Sequence, residues 1–409
     1  WRPTTPFYYG WLILSTAAIG ALIAGSVAQT VFGGIQDLIG QETGWNRKTV
    51  ALAATLGTWS SGLTMPFIGR LVDRFGPRWI MLIAANMVGI GYIYLSNSNT
   101  LFEFFFAYIV IRAVAGPNLQ NVVPRAVAVN FFSRRRNFAI GITTLNRVIS
   151  ESINIQAITL LATSYSWRIA YRIIGIAAIP LSIPIFLLIR HKPEDIGLLP
   201  DGEKQSSTES KAIPQTTSLS VKKIISLKSF WLILIGEFVA VTATSMIIFQ
   251  IVPYLVDAGM TQTVAAAALT IGNALGGLSV PGWGYLTDRY TTKRLAIVIL
   301  TGAITMTLLL LFAPEGNIQF IVVIAWGIVT AVIFVLGTMM LGTVFERTSF
   351  GTVVGITGPS RTAAMGLGPY VGALAASWYG DYTLIFIAAT IGYSLAIALY
   401  SSVQPRNTL

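Results

Sequence analysis

Apolar runs of about 18 residues or more recur along this chain, each long enough to cross a hydrocarbon core of about 30 Å at about 1.5 Å of rise per helical residue. Twelve transmembrane helices are predicted, over 9–32, 48–69, 78–97, 102–124, 138–162, 168–190, 229–255, 262–284, 293–314, 318–343, 350–378 and 383–403. The first run is too long, and too polar in its flanks, for a cleaved signal peptide. The long polar stretch, roughly 191–228, is rich in Ser, Thr, Pro, Lys and Glu and reads as a cytoplasmic linker. It separates a six-helix bundle over 1–190 from a second over 229–409. The expected fold class is all-α and integral to the membrane.

The polar interruptions of the apolar runs repeat. "GITTLNR" at 141–147 returns as "GITGPSR" at 355–361, 214 positions later. "GRLVDRFGPR" at 69–78, between spans 2 and 3, is echoed by "GYLTDRYTTKR" at 284–294, between spans 8 and 9. Gly69, Asp73 and Arg74 thereby correspond to Gly284, Asp288 and Arg289 at an offset of 215. Two independent signatures at nearly one offset identify an internal duplication. Six spans per half make the repeats parallel, related by an axis along the membrane normal.

Composition narrows the function. Of the residues, 54% are hydrophobic and 11% charged, against about 25% charged in soluble domains; the mean hydropathy is +0.70. There is no cysteine, and His191 is the single histidine. Disulfides, thiolate or histidine metal sites and histidine triads are excluded, and no cofactor is implied. No ATP-binding Gly-x-x-x-x-Gly-Lys-Ser/Thr loop appears, so an ion or substrate gradient must drive any transport. The net charge of +11 is an orientation signal: twenty of the 27 Lys and Arg fall in the termini and even-numbered loops, and four in odd-numbered loops or just beyond them. Both termini are therefore expected on the cytoplasmic side of the cell (inner) membrane. "FFSRRRN" at 131–137 reads as a cluster facing anionic lipid, and no nucleic-acid partner is expected.

The Gly–Asp–Arg loop between spans 2 and 3, its echo between spans 8 and 9, and twelve spans around a central linker resemble the major facilitator superfamily. "RAVAGP" at 112–117 resembles the start of its helix-4 motif R-x-x-x-G-x-G. "FYYGW" (7–11), "ETGWNR" (42–47), "DRFGPR" (73–78) and "FFSRRRNFAIGI" (131–142) look like the monocarboxylate and oxalate–formate porter branches. The resemblance implies a fold of two six-helix repeats and alternating access. It also implies a gating role for the loop residues Gly69, Asp73, Arg74, Arg78, Asp288 and Arg289. Gly69 is expected to allow close backbone approach, and Asp73 to pair with arginines and a helix N-terminus; lipid-headgroup anchoring is the alternative for the arginines. In oxalate–formate porters a basic residue of helix 11 contacts substrate, and Arg361 falls at that place. Many monocarboxylate-type relatives carry an arginine in helix 8 before a proline, where this chain has Val280.

Three arginines lie inside spans: Arg112, Arg147 and Arg361. A charge at membrane depth costs roughly 2.5–3.5 kcal/mol or more, so its presence marks function by default. Guanidinium groups suit bidentate recognition of carboxylate. Arg147 and Arg361 are read as anion-binding residues at similar depth, facing one cavity. Glu151 stands at i+4 from Arg147 and is read either as a proton carrier or as a fixed counter-ion. Arg361 has no acid so placed and is expected to meet water, backbone carbonyls or a bound anion. Arg112 joins Glu151 as a proton-coupling candidate. Glu237, in span 7, reads as a structural partner. Gln29, Asn118, Gln120, Asn146, Gln250, Ser360 and Trp326 are candidates to complete the substrate site, with helix–helix bonding or packing as the alternative for each.

The expected function is a secondary active transporter of a small organic anion, a mono- or dicarboxylate, working as a monomer by anion exchange or with a proton. Two unpaired cavity arginines favour a dicarboxylate or exchange; neutralisation of Arg147 by Glu151 favours a monocarboxylate. The alternatives are export of a lipophilic drug or inorganic anion, and a non-transporting receptor on the same scaffold. No nucleophile–base pair supports an enzyme.

Overall fold

The computed structural model describes residues 7–132, 136–199, 221–314, 316–345, 347–379 and 381–403. Twelve helical spans account for most of them. Helix 1 runs over Tyr9–Gly25 and resumes over Gln29–Thr43; helix 2 is Arg47–Phe75 and helix 3 Pro77–Ser96. Helix 4 comprises Leu101–Ala115, a π-helical turn at Gly116–Asn121, and Val122–Phe131. Helices 5 and 6 are Arg136–Ser164 and Trp167–Leu188. Helix 7 is Lys228–Asp257, helix 8 Gln262–Arg289, helix 9 Thr292–Phe312 and helix 10 Asn317–Thr330 with Ile333–Val344. Helix 11 is Arg347–Tyr379 and helix 12 Thr383–Ser401. Among the described residues nine spans are long and apolar enough to cross a membrane; helices 2, 5 and 11 are not among them. The last two carry the duplicated arginine.

The chain divides into two compact units, Trp1–Gly44 with Leu56–Ala212, and Trp45–Thr55 with Ile213–Leu409. Helix 2 thus begins in the second unit and continues in the first.

The first unit is organised around the break in helix 1. Interrupting a helix frees carbonyls that lipid cannot satisfy. Three buried tyrosines satisfy them here: Tyr92 of helix 3 donates to the Ile23 carbonyl at 2.7 Å, Tyr171 of helix 6 to Ser26 at 3.0 Å, and Tyr108 of helix 4 to Val27 at 3.1 Å. Asn154 of helix 5 adds a bond to the Leu22 carbonyl and accepts from the Ser26 hydroxyl at 2.7 Å. Helix 4 has its own irregularity. Pro117 brings no N–H to the helix ladder, and the Asn118 and Asn121 amides bond back to the carbonyls of Val114 and Gly116. Helices 3 and 6 meet where Gly89 and Gly175 face each other's backbone; a Cβ on Gly175 would stand 2.7 Å from the Gly89 carbonyl oxygen. Small residues of this kind let membrane helices approach closely. Large apolar side chains such as Ile83, Met87 and Ile90 of helix 3 are exposed, as a lipid-facing surface requires.

The second unit is organised around helix 7, which is continuous and packs on helices 11 and 12. Gly368 of helix 11 lies against the backbone of Met246, and Ser245 donates to the Met365 carbonyl at 2.6 Å. Thr244 pairs with the buried Tyr393 hydroxyl of helix 12 at 3.0 Å. Gly272 and Gly276 of helix 8 interlock with Gly327 of helix 10. Arg47, at the start of helix 2 and within this unit, pairs with Asp257 at 3.2 Å, and the Tyr382 hydroxyl bonds both of them.

Candidate functional site

Each unit holds a guanidinium–carboxylate pair well inside its helices. In the first, Arg147 on helix 5 stands 3.6 Å from Glu151, one turn along. The side chains are 30% and 16% exposed, so both can be approached. Thr30, on the second segment of helix 1, donates to the other oxygen of Glu151 at 3.4 Å. The acid is thereby shared between its own helix and helix 1. Around this pair, Asn146 donates to the Leu14 carbonyl of helix 1. Asn146 also lines a crevice with Gln120 of helix 4 and Ala17 of helix 1. Asn118, Gln120 and Gln29 are buried.

In the second unit the Arg361 Nε lies 2.9 Å from Glu237 of helix 7. The expectation that Arg361 lacks an acidic partner is therefore corrected. Its acid comes from another helix, where i+4 spacing cannot reveal it. Helix 10 holds the rest of the guanidinium: Nη1 donates to the Phe334 carbonyl at 3.3 Å and Nη2 to the Thr338 hydroxyl at 3.0 Å. Gly337, between those two, leaves the room that the Glu237 carboxylate occupies. Gln250, further along helix 7, is buried against Gly372 of helix 11. Ser360 is half-buried beside Arg361. Trp326 does not join this group: its indole N–H donates to Thr307 of helix 9 at 3.2 Å, and the ring is buried there by packing.

Arg112 is a different kind of group. It is 8% exposed, packs against Gly57 of helix 2, and makes one long hydrogen bond, 3.4 Å to Thr58. Among the described residues no carboxylate pairs with it. Sequence reasoning also passed over Asp37. The polar residues beyond position 32 end the apolar run, yet helix 1 continues to Thr43 and Asp37 is 7% exposed.

Near the end of helix 2, a Cβ on Gly69 would meet nothing among the described residues within 4 Å. None of the described residues approaches that glycine closely. The turn itself is made at Gly76, whose φ of +78° favours glycine. Arg74 lies over the Phe75 ring, and Arg78 donates to the Phe186 carbonyl of helix 6 at 2.7 Å while stacking on the Phe186 ring. Arg78 thus ties helix 3 to helix 6. The side chains of Asp73, Asp288 and Arg289 lie outside the described residues.

Among the described residues, nine helices long and apolar enough to cross a membrane mark a multi-pass membrane protein. The model of the Major Facilitator Superfamily matches residues 17–328 and 233–408, and the chain belongs to that superfamily. Its fold is that of twelve helices in two six-helix repeats. The chain is similar to the oxalate:formate antiporter of Oxalobacter formigenes, 22% identical over 87% of this chain and 82% of the relative. It is also similar to an MFS-type transporter of Gibberella moniliformis, 21% identical over 97% and 92% of the two chains. Among solved structures, a bacterial homologue of the human lysosomal transporter Spinster superposes with a TM-score of 0.74 at 14% identity, covering 98% and 95% of the two chains. The nucleoside transporter NupG superposes with a TM-score of 0.70 at 12% identity, covering 96% and 98%. These superpositions bear on the fold alone.

Proposed function

We propose that the protein is a secondary active transporter of a small organic anion, recognised through Arg147 and Arg361, one from each unit. The observation that carries this reading is the state of the two guanidinium groups. Each sits inside a membrane helix, each is held by one carboxylate, and each keeps a quarter to a third of its side chain exposed. A buried arginine kept only for structure is best enclosed by its partners; these two are open to a further anion. The similarity to an oxalate:formate antiporter supports a carboxylate as that anion. Both arginines are matched by acids, which favours a monocarboxylate over a dicarboxylate. The excess of Lys and Arg in the even-numbered loops supports cytoplasmic termini and a place in the cell (inner) membrane.

The test is a thermal-shift titration of the purified protein with lactate, formate, oxalate and succinate, repeated for Arg147→Gln and Arg361→Gln. A ligand at 100 times its Kd adds about 2.7 kcal/mol of stability. Wild type is expected to gain stability with one class of acid, and both variants to lose that gain. Equal gains in wild type and both variants would show the arginines to be structural.

A further inference from the structure

The anion-binding reading leaves Glu237 without a task. Its side chain is 2% exposed, its nearest partner is the Arg361 Nε at 2.9 Å, and neither carboxylate oxygen accepts an aligned hydrogen bond from a described residue. Buried carboxylates are ordinarily satisfied by several donors. Among the described residues this one has a single ion contact. Its seat is also specific, because any Cβ at position 337 would overlap the carboxylate. The guanidinium is held differently. Its two terminal nitrogens are bonded from helix 10, so the plane is fixed while the Nε edge faces the acid. Arg361 is 25% exposed where Glu237 is closed off, so an arriving anion meets the cation first.

The surroundings of Glu237 are simple. Helix 11 presents Arg361 to it. Helix 12 presents Tyr400, whose ring packs on the neighbouring Gly236 and lies within electrostatic reach of the acid. Helix 10 presents Gly337 and Thr338, neither of which titrates. Among the described residues no other charged group acts on it, from helix 8 or from the short helix Val221–Ser226 that precedes helix 7.

We infer that Glu237 is the coupling acid of the second site: it takes a proton when a substrate carboxylate replaces it on Arg361, so that one proton and one carboxylate load together. The inference rests on the anion-binding reading of Arg361. The step balances. Water on the loading side supplies the proton, which bonds to one Glu237 oxygen. The Glu237–Arg361 ion contact breaks and a substrate–Arg361 contact forms. The site holds no net charge before loading and none after, and release on the opposite side reverses each change.

The test measures Kd for lactate and oxalate, acids that stay ionised from about pH 5.5 to about pH 8, in wild type, Glu237→Gln, Gly337→Ala and Arg361→Gln. Wild-type affinity is expected to fall by up to about tenfold per pH unit across the range in which Glu237 loses its proton, since each proton bound with the anion contributes one such factor. Glu237→Gln is isosteric and permanently uncharged; its affinity is expected to be independent of pH and at least as tight as that of wild type at low pH. Gly337→Ala pushes the acid off its seat and is expected to flatten the same slope if Glu237→Gln does not fold. In proteoliposomes Glu237→Gln is expected to keep substrate counterflow and lose acceleration by a proton gradient. Glu237→Gln or Gly337→Ala binding with the wild-type pH slope would overturn the inference and leave Arg361 as an anion site. Arg361→Gln binding like wild type, or no acid binding to wild type, would overturn the underlying reading instead.

Discussion

Arg112 and Arg361 are both guanidinium groups inside a helical unit, and their surroundings differ in kind. Arg361 has an acid, a carbonyl and a hydroxyl around it, with Gly337 clearing the space that the acid needs. Arg112 is more deeply buried and, among the described residues, has only the 3.4 Å bond to Thr58. A buried cation with so little compensation opposes folding, and apolar replacements of buried charges are often neutral or stabilising by about 1–4 kcal/mol. Arg112→Leu is accordingly expected to leave the melting temperature unchanged or raise it. A clear drop in the thermal melt would mean that the guanidinium has stronger support than Thr58 gives it. The corresponding change at Arg361 is expected to lower the melting temperature, because it leaves the buried Glu237 carboxyl without its partner.

The first and seventh helices occupy matching places in the two repeats, and only the first is broken. At its break Tyr92, Tyr108 and Tyr171 supply donors to the carbonyls of Ile23, Val27 and Ser26. Replacing any one with Phe keeps the packing and removes the donor. Each replacement is expected to lower stability by about 1–3 kcal/mol, read as a fall in the melting temperature with little change in anion affinity. A null effect in all three would mean that water or side-chain rearrangement serves those carbonyls. None of this was legible in the sequence, where the break falls inside an unbroken apolar run. The run also misled about length, since the polar residues after position 32 continue the helix to Thr43. What hydropathy does report is whether a segment can lie in lipid, so most of the twelve spans were readable; helices 2, 5 and 11 are not among the nine that are apolar enough among the described residues. The Arg147–Glu151 pair was readable as well, because a helix brings i and i+4 together. Glu237 stands 124 positions from Arg361, and nothing short of the packing of helices 7 and 11 brings them together.

At the scale of the whole chain, the distribution of basic residues sets an orientation that chemistry can check directly. The absence of cysteine makes wild type a ready background for single-cysteine labelling. Glu194→Cys, after helix 6, is expected to react with a membrane-impermeant maleimide only from the cytoplasmic face, and Asn99→Cys, between helices 3 and 4, only from the opposite face. The reverse pattern would invert the topology without touching the fold. The two ion pairs carry a further consequence, for descent. Arg147 and Arg361 are related by the duplication, one at the same place in each repeat. Their acids are not: one comes from the arginine's own helix and the other from helix 7. A trait shared by two copies predates their separation, and a trait that differs was gained or lost in one of them afterwards. The half-length ancestor therefore carried the arginine, and the acid that neutralises it changed in at least one copy after the two separated.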